Sequence, residues 1–236
     1  MEKLGTILGI WAHPDDETYL SAGIMAAAVR NGSRVFCVTA TRGEGGSFDE
    51  QKWPSATMGQ VREQELARSF AILGVTEHEF LDLPDVDMDT PLPESGAARV
   101  TELIEQVRPD TVLTFGPEGM TGHVGHMSVS RWATEGFKQA APSGSRLFYA
   151  VYTKEWADEI VPKLDQFGVF RPGTPPVVDR EDLAIAFELS EELLELKMRA
   201  IREHVSQIEP MAELFGDPFL TRMMHEESFR LAEVKP

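Results

Sequence analysis

Thr6-Ile7-Leu8-Gly9-Ile10-Trp11, followed at once by Ala12-His13-Pro14-Asp15-Asp16-Glu17, decides the reading of the fold. The first six residues are a short, nearly continuous apolar run ended by a proline and three acids, the pattern of a strand buried on both faces. A helix is predicted next. Leu20, Ile24 and Ala27 recur at spacings of four and three, acids crowd its start, and Asn31-Gly32 supplies a stop. Val35 to Thr39 reads as a second buried strand, and Leu66, Phe70 and Leu73 as the stripe of a second helix stopped at Gly74.

Outward from that start the alternation repeats. Glu79 to Leu83 is a predicted strand, Val100, Leu103, Ile104 and Val107 mark a helix ending before Pro109, and Thr111 to Phe115 is a strand. Val129, Trp132, Ala133, Gly136, Phe137 and Ala140 stripe a fourth helix, and Leu147 to Tyr152 forms a fifth strand. Strict alternation of this kind predicts an α/β fold, a doubly wound, mostly parallel sheet with helices on both faces. After Thr153 the pattern loosens around Pro162, Pro172, Pro175 and Pro176, before a strand at Leu183 to Leu189 and a helix carrying Leu194, Met198, Ile201 and Val205. Residues 1–153 are therefore read as a Rossmann-like core, and residues 154–236 as a C-terminal α+β extension of the same domain.

Composition narrows the function. The chain has 236 residues with 39 Asp and Glu against 22 Lys and Arg, a formal net charge of −17. A surface this acidic repels phosphate backbones and anionic headgroups, so neither nucleic acid nor a membrane surface is expected as a partner. The longest stretch free of charged side chains, residues 18–29, is far below the roughly 20 apolar residues that span a bilayer. No span or secretory signal is expected, and the single Cys37 cannot form an intrachain disulfide, which fits the cytoplasm.

The chemistry is expected at the strand ends. In a doubly wound sheet, ligands bind beyond the carboxyl ends of the strands where strand order reverses; for the order 3-2-1-4-5 that is between the first and fourth strands. The loop after the fourth strand runs Gly116 to His126 and carries His123 and His126; the loop after the first carries His13, Asp15 and Asp16. Catalytic zinc takes three protein ligands and keeps a position for water, whose pKa falls to about 7. His13, Asp16 and His126 supply two nitrogens and a carboxylate from opposite walls. Successive side chains of an extended segment alternate, so Asp15 is left as general base, and His123 to stabilise the oxyanion or protonate the leaving nitrogen. The competing structural reading is that His13 and Asp16 merely cap the first helix.

These residues resemble the LmbE-like, PIG-L-related zinc-dependent N-deacetylases. The motif Ala-His-Pro-Asp-Asp-Glu stands unchanged at positions 12–17; Gly122-His123-Val124-Gly125-His126 is similar to the family's Gly-His-x-Asp-His element; and His204-Val205-Ser206-Gln207 is similar to a His-x-Ser-Gln pattern. Arg62 and Glu65 before Leu73-Gly74-Val75 add to the likeness. The resemblance implies Zn²⁺ on His13, Asp16 and His126, Asp15 as base, His123 as acid or oxyanion donor, Arg62 as a substrate contact, and an N-acetylated amino sugar or its conjugate as substrate. Family members often assemble, so the resemblance also raises a homo-oligomer. The departure is Gly125, where the family carries an Asp that pairs with the catalytic histidine; Glu118 and Glu44 are the candidates to replace it.

Other residues are weaker. Trp53 and Phe48 lie in a long glycine-rich loop, 43–58, and are expected to stack on a sugar ring as part of a lid. His204 is expected behind the site or on the surface; His78 and His225 are expected to be structural. A dinucleotide enzyme would need a Gly-x-Gly-x-x-Gly turn where two acids stand, and Mg²⁺ favours oxygen over two imidazoles. The remaining alternative is a non-catalytic carbohydrate- or metal-binding member of the same fold, which gains nothing from a poised base.

Overall fold

The computed structural model describes residues 4–236. β1 (Ile7–Trp11), β2 (Val35–Thr41), β3 (Glu77–Leu83), β4 (Thr111–Phe115) and β5 (Arg146–Thr153) alternate with α1 (Asp16–Arg30), α2 (Ser55–Leu73), α3 (Ser95–Val107) and α4 (Val124–Ala140). The sheet order begins β3-β2-β1-β4-β5, all parallel, so strand order reverses between β1 and β4 as expected. β1 and β4 are buried along their whole length, which is why both read as continuous apolar runs.

The first three helices stop at or just before a left-handed residue. Gly74 (φ 77°) closes α2, and Gly32 (φ 78°) turns the chain beyond α1. Arg108 closes α3 at φ 51°, directly before Pro109, where a further helical residue is disfavoured.

Beyond Thr153 follow α5 (Lys154–Leu164), β6 (Val177–Val178), β7 (Ile185–Glu188), α6 (Glu191–Arg202), α7 (Val205–Met224, interrupted at Gly216) and β8 (Glu226–Leu231). β8 runs antiparallel to β5, β7 antiparallel to β8, and β6 extends the end of β5. The extension thus enlarges the sheet itself. Its helices enclose a second apolar cluster of Trp156, Ile160, Met198, Ile201, Leu220 and Met223, bridged to the main core by Tyr19 and Tyr152.

A buried ion pair fastens this region to α1. Lys197 Nζ donates to Glu227 Oε1 (2.8 Å) and to the Tyr19 carbonyl (2.7 Å), while the Glu227 carboxylate accepts the Gly23 and Ile24 N–H groups at 2.7 and 2.8 Å. Both side chains are fully buried. A pair so enclosed is held by these further hydrogen bonds at both of its ends.

Candidate active site

The turn after β1 is the first wall. Asp16 opens α1, where a carboxylate suits the helix dipole. Its side chain does not cap the helix: Oδ2 instead accepts the Ala12 and His13 N–H groups at 3.2 and 2.8 Å, folding the turn back on itself. Asp15, one residue earlier, takes φ 115°, a region non-glycine residues rarely adopt. Asp15 and Asp16 therefore point apart, as expected, but through a strained turn and not the alternation of an extended segment.

The loop after β4 is the second wall. His126 lies on the first turn of α4, its ring stacked on Phe115 at the end of β4 (centroids 4.1 Å, planes 6° apart). Its Nδ1–H donates to the Gly119 carbonyl at 2.9 Å, which leaves Nε2 as the lone pair facing the first wall. There His126 Nε2 approaches His13 Nδ1 to 3.1 Å and Asp16 Oδ1 to 3.4 Å, and His13 Nδ1 is 3.6 Å from Asp16 Oδ2.

These separations test the fit of a metal. Bonds of 2.0–2.2 Å in a tetrahedral site put neighbouring donor atoms about 3.4 Å apart, and the three measured edges bracket that length. A nitrogen of His123 also lies within 4.8 Å of nitrogens of His13 and His126. Asp16 completes the set better, because its oxygens are closer and because His123 Nδ1 already accepts the Gly125 N–H at 3.0 Å. The donor set of two imidazoles and one carboxylate fits a catalytic transition metal such as zinc.

Charge within the cluster follows from burial and neighbours. Burial drives the His13 pKa down, but the hydrogen bonds and charges of Asp16 and Asp85 outweigh it and raise it to about 9. Burial lowers His126 to about 4 and, together with the two neighbouring histidines, His123 to about 3. Asp16 is pulled well below the usual carboxylate range, its burial overcome by His126 and His13. Asp15 goes the other way: burial raises it to about 6 against the pull of Arg62. A carboxyl group titrating there suits general-base work near neutrality.

Arg62 is 4% exposed and reaches Asp15 Oδ1 at 3.2 Å through Nη2 and the Gly43 carbonyl at 3.2 Å through Nη1. It therefore steadies the Asp15 carboxylate as well as the glycine-rich loop. Trp53 remains within that loop, its N–H donating to the Asp49 carbonyl and its ring beneath Lys52 Nζ at 5.5 Å. Phe48 is 71% exposed. Neither Glu118 nor Glu44 replaces the family Asp at His123: Glu118 is engaged by Arg230 at 2.9 Å, and Glu44 packs toward Gly59. The vacancy at 125 is filled by His123 itself, since a Cβ there would sit 3.1 Å from its Nδ1.

Sequence reasoning missed Asp85. It follows β3 directly, its Oδ1 lies 3.4 Å from His13 Nε2, and its Oδ2 accepts the Gly45 N–H at 3.1 Å. The signal was available in its position, an acid just past the carboxyl end of a parallel strand. An orienting carboxylate on the second nitrogen of a ligating histidine fixes its tautomer and strengthens it as a donor. His204 proves fully buried behind the first wall. His78 sits on β3 within reach of Thr39 Oγ1 at 3.0 Å, and burial lowers it to about 4.

Known proteins resemble this chain to different depths. Residues 8–137 match the GlcNAc-PI de-N-acetylase family, PIG-L. A 1D-myo-inositol 2-acetamido-2-deoxy-alpha-D-glucopyranoside deacetylase of Saccharomonospora viridis is 30% identical over 86% of this chain and 85% of its own. The chain spans 46% to 85% of the length of the first curated relatives it matches. Among solved structures, the N,N'-diacetylchitobiose deacetylase from Pyrococcus horikoshii aligns over 96% of this chain and 83% of that one (TM-score 0.68, 22% identity). The 4-carboxy-2-hydroxymuconate hydratase from Pseudomonas putida aligns over 98% of both (TM-score 0.61, 15% identity). These likenesses of fold do not by themselves select a reaction. The sequence match does select a lineage: it spans more than half of the chain and takes in both walls of the histidine and carboxylate cluster, and the chain belongs to the PIG-L family of de-N-acetylases.

Proposed function

We infer that this metal-dependent N-deacetylase removes the acetyl group from an N-acetylglucosamine-type sugar or its conjugate, with Asp15 as general base. The observation that carries the mechanism is the convergence of His13 Nδ1, His126 Nε2 and the Asp16 carboxylate at coordination-edge distances, with Asp15 next to Asp16 in the same turn and held by Arg62. His13, Asp16 and His126 would hold Zn²⁺, which when bound would supply a Lewis acid for the amide carbonyl and lower the pKa of a water.

The chain's own groups do the rest. Asp16, held ionised by the two histidines, keeps the cluster compact. The Asp85 carboxylate, 3.4 Å from His13 Nε2, favours the tautomer whose proton sits there and whose Nδ1 is free. Asp15 takes the proton of the attacking water and can return it to the leaving nitrogen, and Arg62 keeps its carboxylate aimed. His123 accepts the Gly125 N–H at Nδ1, so its neutral ring carries the proton on Nε2, as a donor to the developing oxyanion. In this chain His123 is thus read as oxyanion donor, not as a charged acid.

Arg62 is proposed to serve the sugar side of the site through Asp15 and the glycine-rich loop that it holds, and Trp53 to offer an aromatic face. The N-acetylglucosamine class is supported by the substrates named for the relatives, an acetamido-deoxy-glucopyranoside and diacetylchitobiose. No helix among the described residues is long and apolar enough to cross a membrane. A cytoplasmic location is proposed from the single buried cysteine, and a homo-oligomer from the family alone. The test is amine release from a panel of N-acetylglucosaminides by zinc-loaded protein, before and after chelation. Release that is lost on chelation and restored by Zn²⁺ is expected; release indifferent to chelation contradicts the reading.

A further inference from the structure

Glu17, the last residue of the Ala12–Glu17 motif, is fully buried yet takes no part in the metal site or in the proposed proton transfer. Burying a carboxylate is costly unless it is hydrogen-bonded, and an apolar side chain would fill the same space without that cost. Its partners show what it does. Oε2 accepts the backbone N–H of Asp15 at 3.1 Å, and Oε1 accepts the Thr18 hydroxyl at 2.5 Å. Glu17 therefore grips the amide of the one residue in the turn that holds φ 115°.

Glu17 is gripped in turn from the far end of the chain. His204 caps α7, is fully buried, and places Nε2 3.2 Å from Thr18 Oγ1 and 3.6 Å from Glu17 Oε1. Because the Thr18 hydroxyl proton goes to Glu17, Thr18 Oγ1 accepts from the Nε2–H of His204, while Ser69 of α2 stands 3.0 Å from it. The remaining His204 nitrogen, Nδ1, is buried without a hydrogen-bond partner among the described residues, which suits the tautomer that carries its proton on Nε2. The α6–α7 junction is pinned beside it: the Ser206 N–H and hydroxyl both donate to the Glu65 carboxylate at 2.7 Å, and Gln207 Nε2 donates to the Gly46 carbonyl at 3.1 Å.

We propose that Glu17 and His204 are positioning residues for the catalytic base: Glu17 holds the Asp15 turn by its amide, and His204, through Thr18, holds Glu17. The relay runs His204 Nε2–H to Thr18 Oγ1–H to the Glu17 carboxylate to the Asp15 N–H. Arg62 fixes the carboxylate of Asp15 from one side while this relay fixes its backbone from the other. The site is then completed by chain beyond residue 203, 186 residues after the Thr18 that His204 contacts. The inference rests on Asp15 as general base.

The test uses full-length, zinc-loaded protein with Glu17→Ala, Glu17→Gln and His204→Ala. It reads kcat and KM separately, zinc affinity by chelator competition, and hydrogen exchange of the Asp15 amide by NMR. Glu17→Ala is expected to lower kcat at least tenfold with KM and zinc affinity within threefold, and to speed Asp15 amide exchange at least tenfold. Glu17→Gln keeps an oxygen that can accept the amide and should recover kcat to within about threefold of wild type. His204→Ala, remote from substrate, should reproduce the Glu17→Ala pattern in weaker form, and with Glu17→Gln it carries the test if Glu17→Ala does not fold. Unchanged Asp15 exchange and unchanged kcat in a folded Glu17→Ala or His204→Ala overturn the proposal, as does a parallel loss of kcat, KM and zinc affinity. Amide exchange is read without substrate, so a faster Asp15 amide in a protein whose wild type releases no amine would sink the deacetylase reading and leave the positioning relay standing.

Discussion

The turn after β1 fixes each of its chemical groups at more than one point, whereas the loop after β4 leaves one of its two histidines on a single backbone amide. Asp16 is held by two N–H groups, and Asp15 by Arg62 and Glu17. Across the crevice His126 is equally constrained, by Gly119 and by Phe115, but His123 has only the Gly125 N–H and its neighbouring rings, with no carboxylate at position 125. The contrast teaches where this chain can vary: the proposed ligands and base sit on framework held at several points, while the proposed oxyanion donor sits where one substitution should retune it.

The largest effect should come from unmaking the shared edge of the two walls. His126→Ala removes the donor nearest both His13 and Asp16, and we expect stoichiometric zinc binding and amine release to be lost together, read by metal analysis and a fluorogenic amine assay. Asp15→Asn comes next. It should lower kcat by about 10²–10⁴-fold, the usual worth of general acid–base catalysis, while zinc stays bound; a variant that loses zinc would place Asp15 among the ligands.

The pH dependence sharpens the same wall. Asp15 is ionised above and protonated below about 6, so kcat/KM should fall as pH drops through that value, and at a lower pH once a bound cation favours the carboxylate. Zinc affinity has its own sign. His13, raised to about 9, must give up a proton to bind, so between pH 6 and 8 apparent affinity should fall about tenfold for each unit of acidification. Titration by chelator competition reads the slope, and a flat line contradicts the assignment of His13 as ligand.

The smallest effects belong to the second wall. A Cβ at 125 would press on His123 Nδ1 at 3.1 Å and Cε1 at 3.2 Å, contacts that a shift of a few tenths of an ångström relieves. In Gly125→Asp the added carboxylate favours the charged His123 ring, so the alkaline side of the pH–rate profile should move to higher pH, with less than tenfold change in rate at neutrality. An unmoved profile would show that position 125 does not tune His123. Arg230→Ala frees Glu118 on the loop after β4 without touching His123 or His126, and kcat/KM should stay within threefold.

Most of the fold through β5 was legible, because strands buried on both faces are written as apolar runs and the helices between them as stripes. The site followed from it, since the two loops carrying histidines must meet once strand order reverses between β1 and β4. Beyond β5 the strand read at Leu183 to Leu189 is β7, but β6 and β8 were not legible. β8 begins Glu226-Glu227, two acids that no strand pattern would bury, and both are buried here because Thr153 and Arg180 answer the first and Lys197 the second. Helix α5 hides behind Pro162 in its interior. Asp85 was missed because its loop carries several acids, Asp85, Asp87 and Asp89, that spacing alone does not distinguish. The burial of His204 was hidden because a helix cap is read from local sequence, whereas its partner Thr18 lies 186 positions away.

The claim at the centre of this account is that His13, Asp16 and His126 hold a metal that Asp15 puts to use. Zinc stoichiometry and amine release from N-acetylglucosaminides, measured side by side on wild type and Asp15→Asn, test it most directly. The account predicts one zinc per chain in both proteins and amine release from wild type alone. A wild type that binds no zinc, or an Asp15→Asn variant that deacetylates at the wild-type rate, would contradict it.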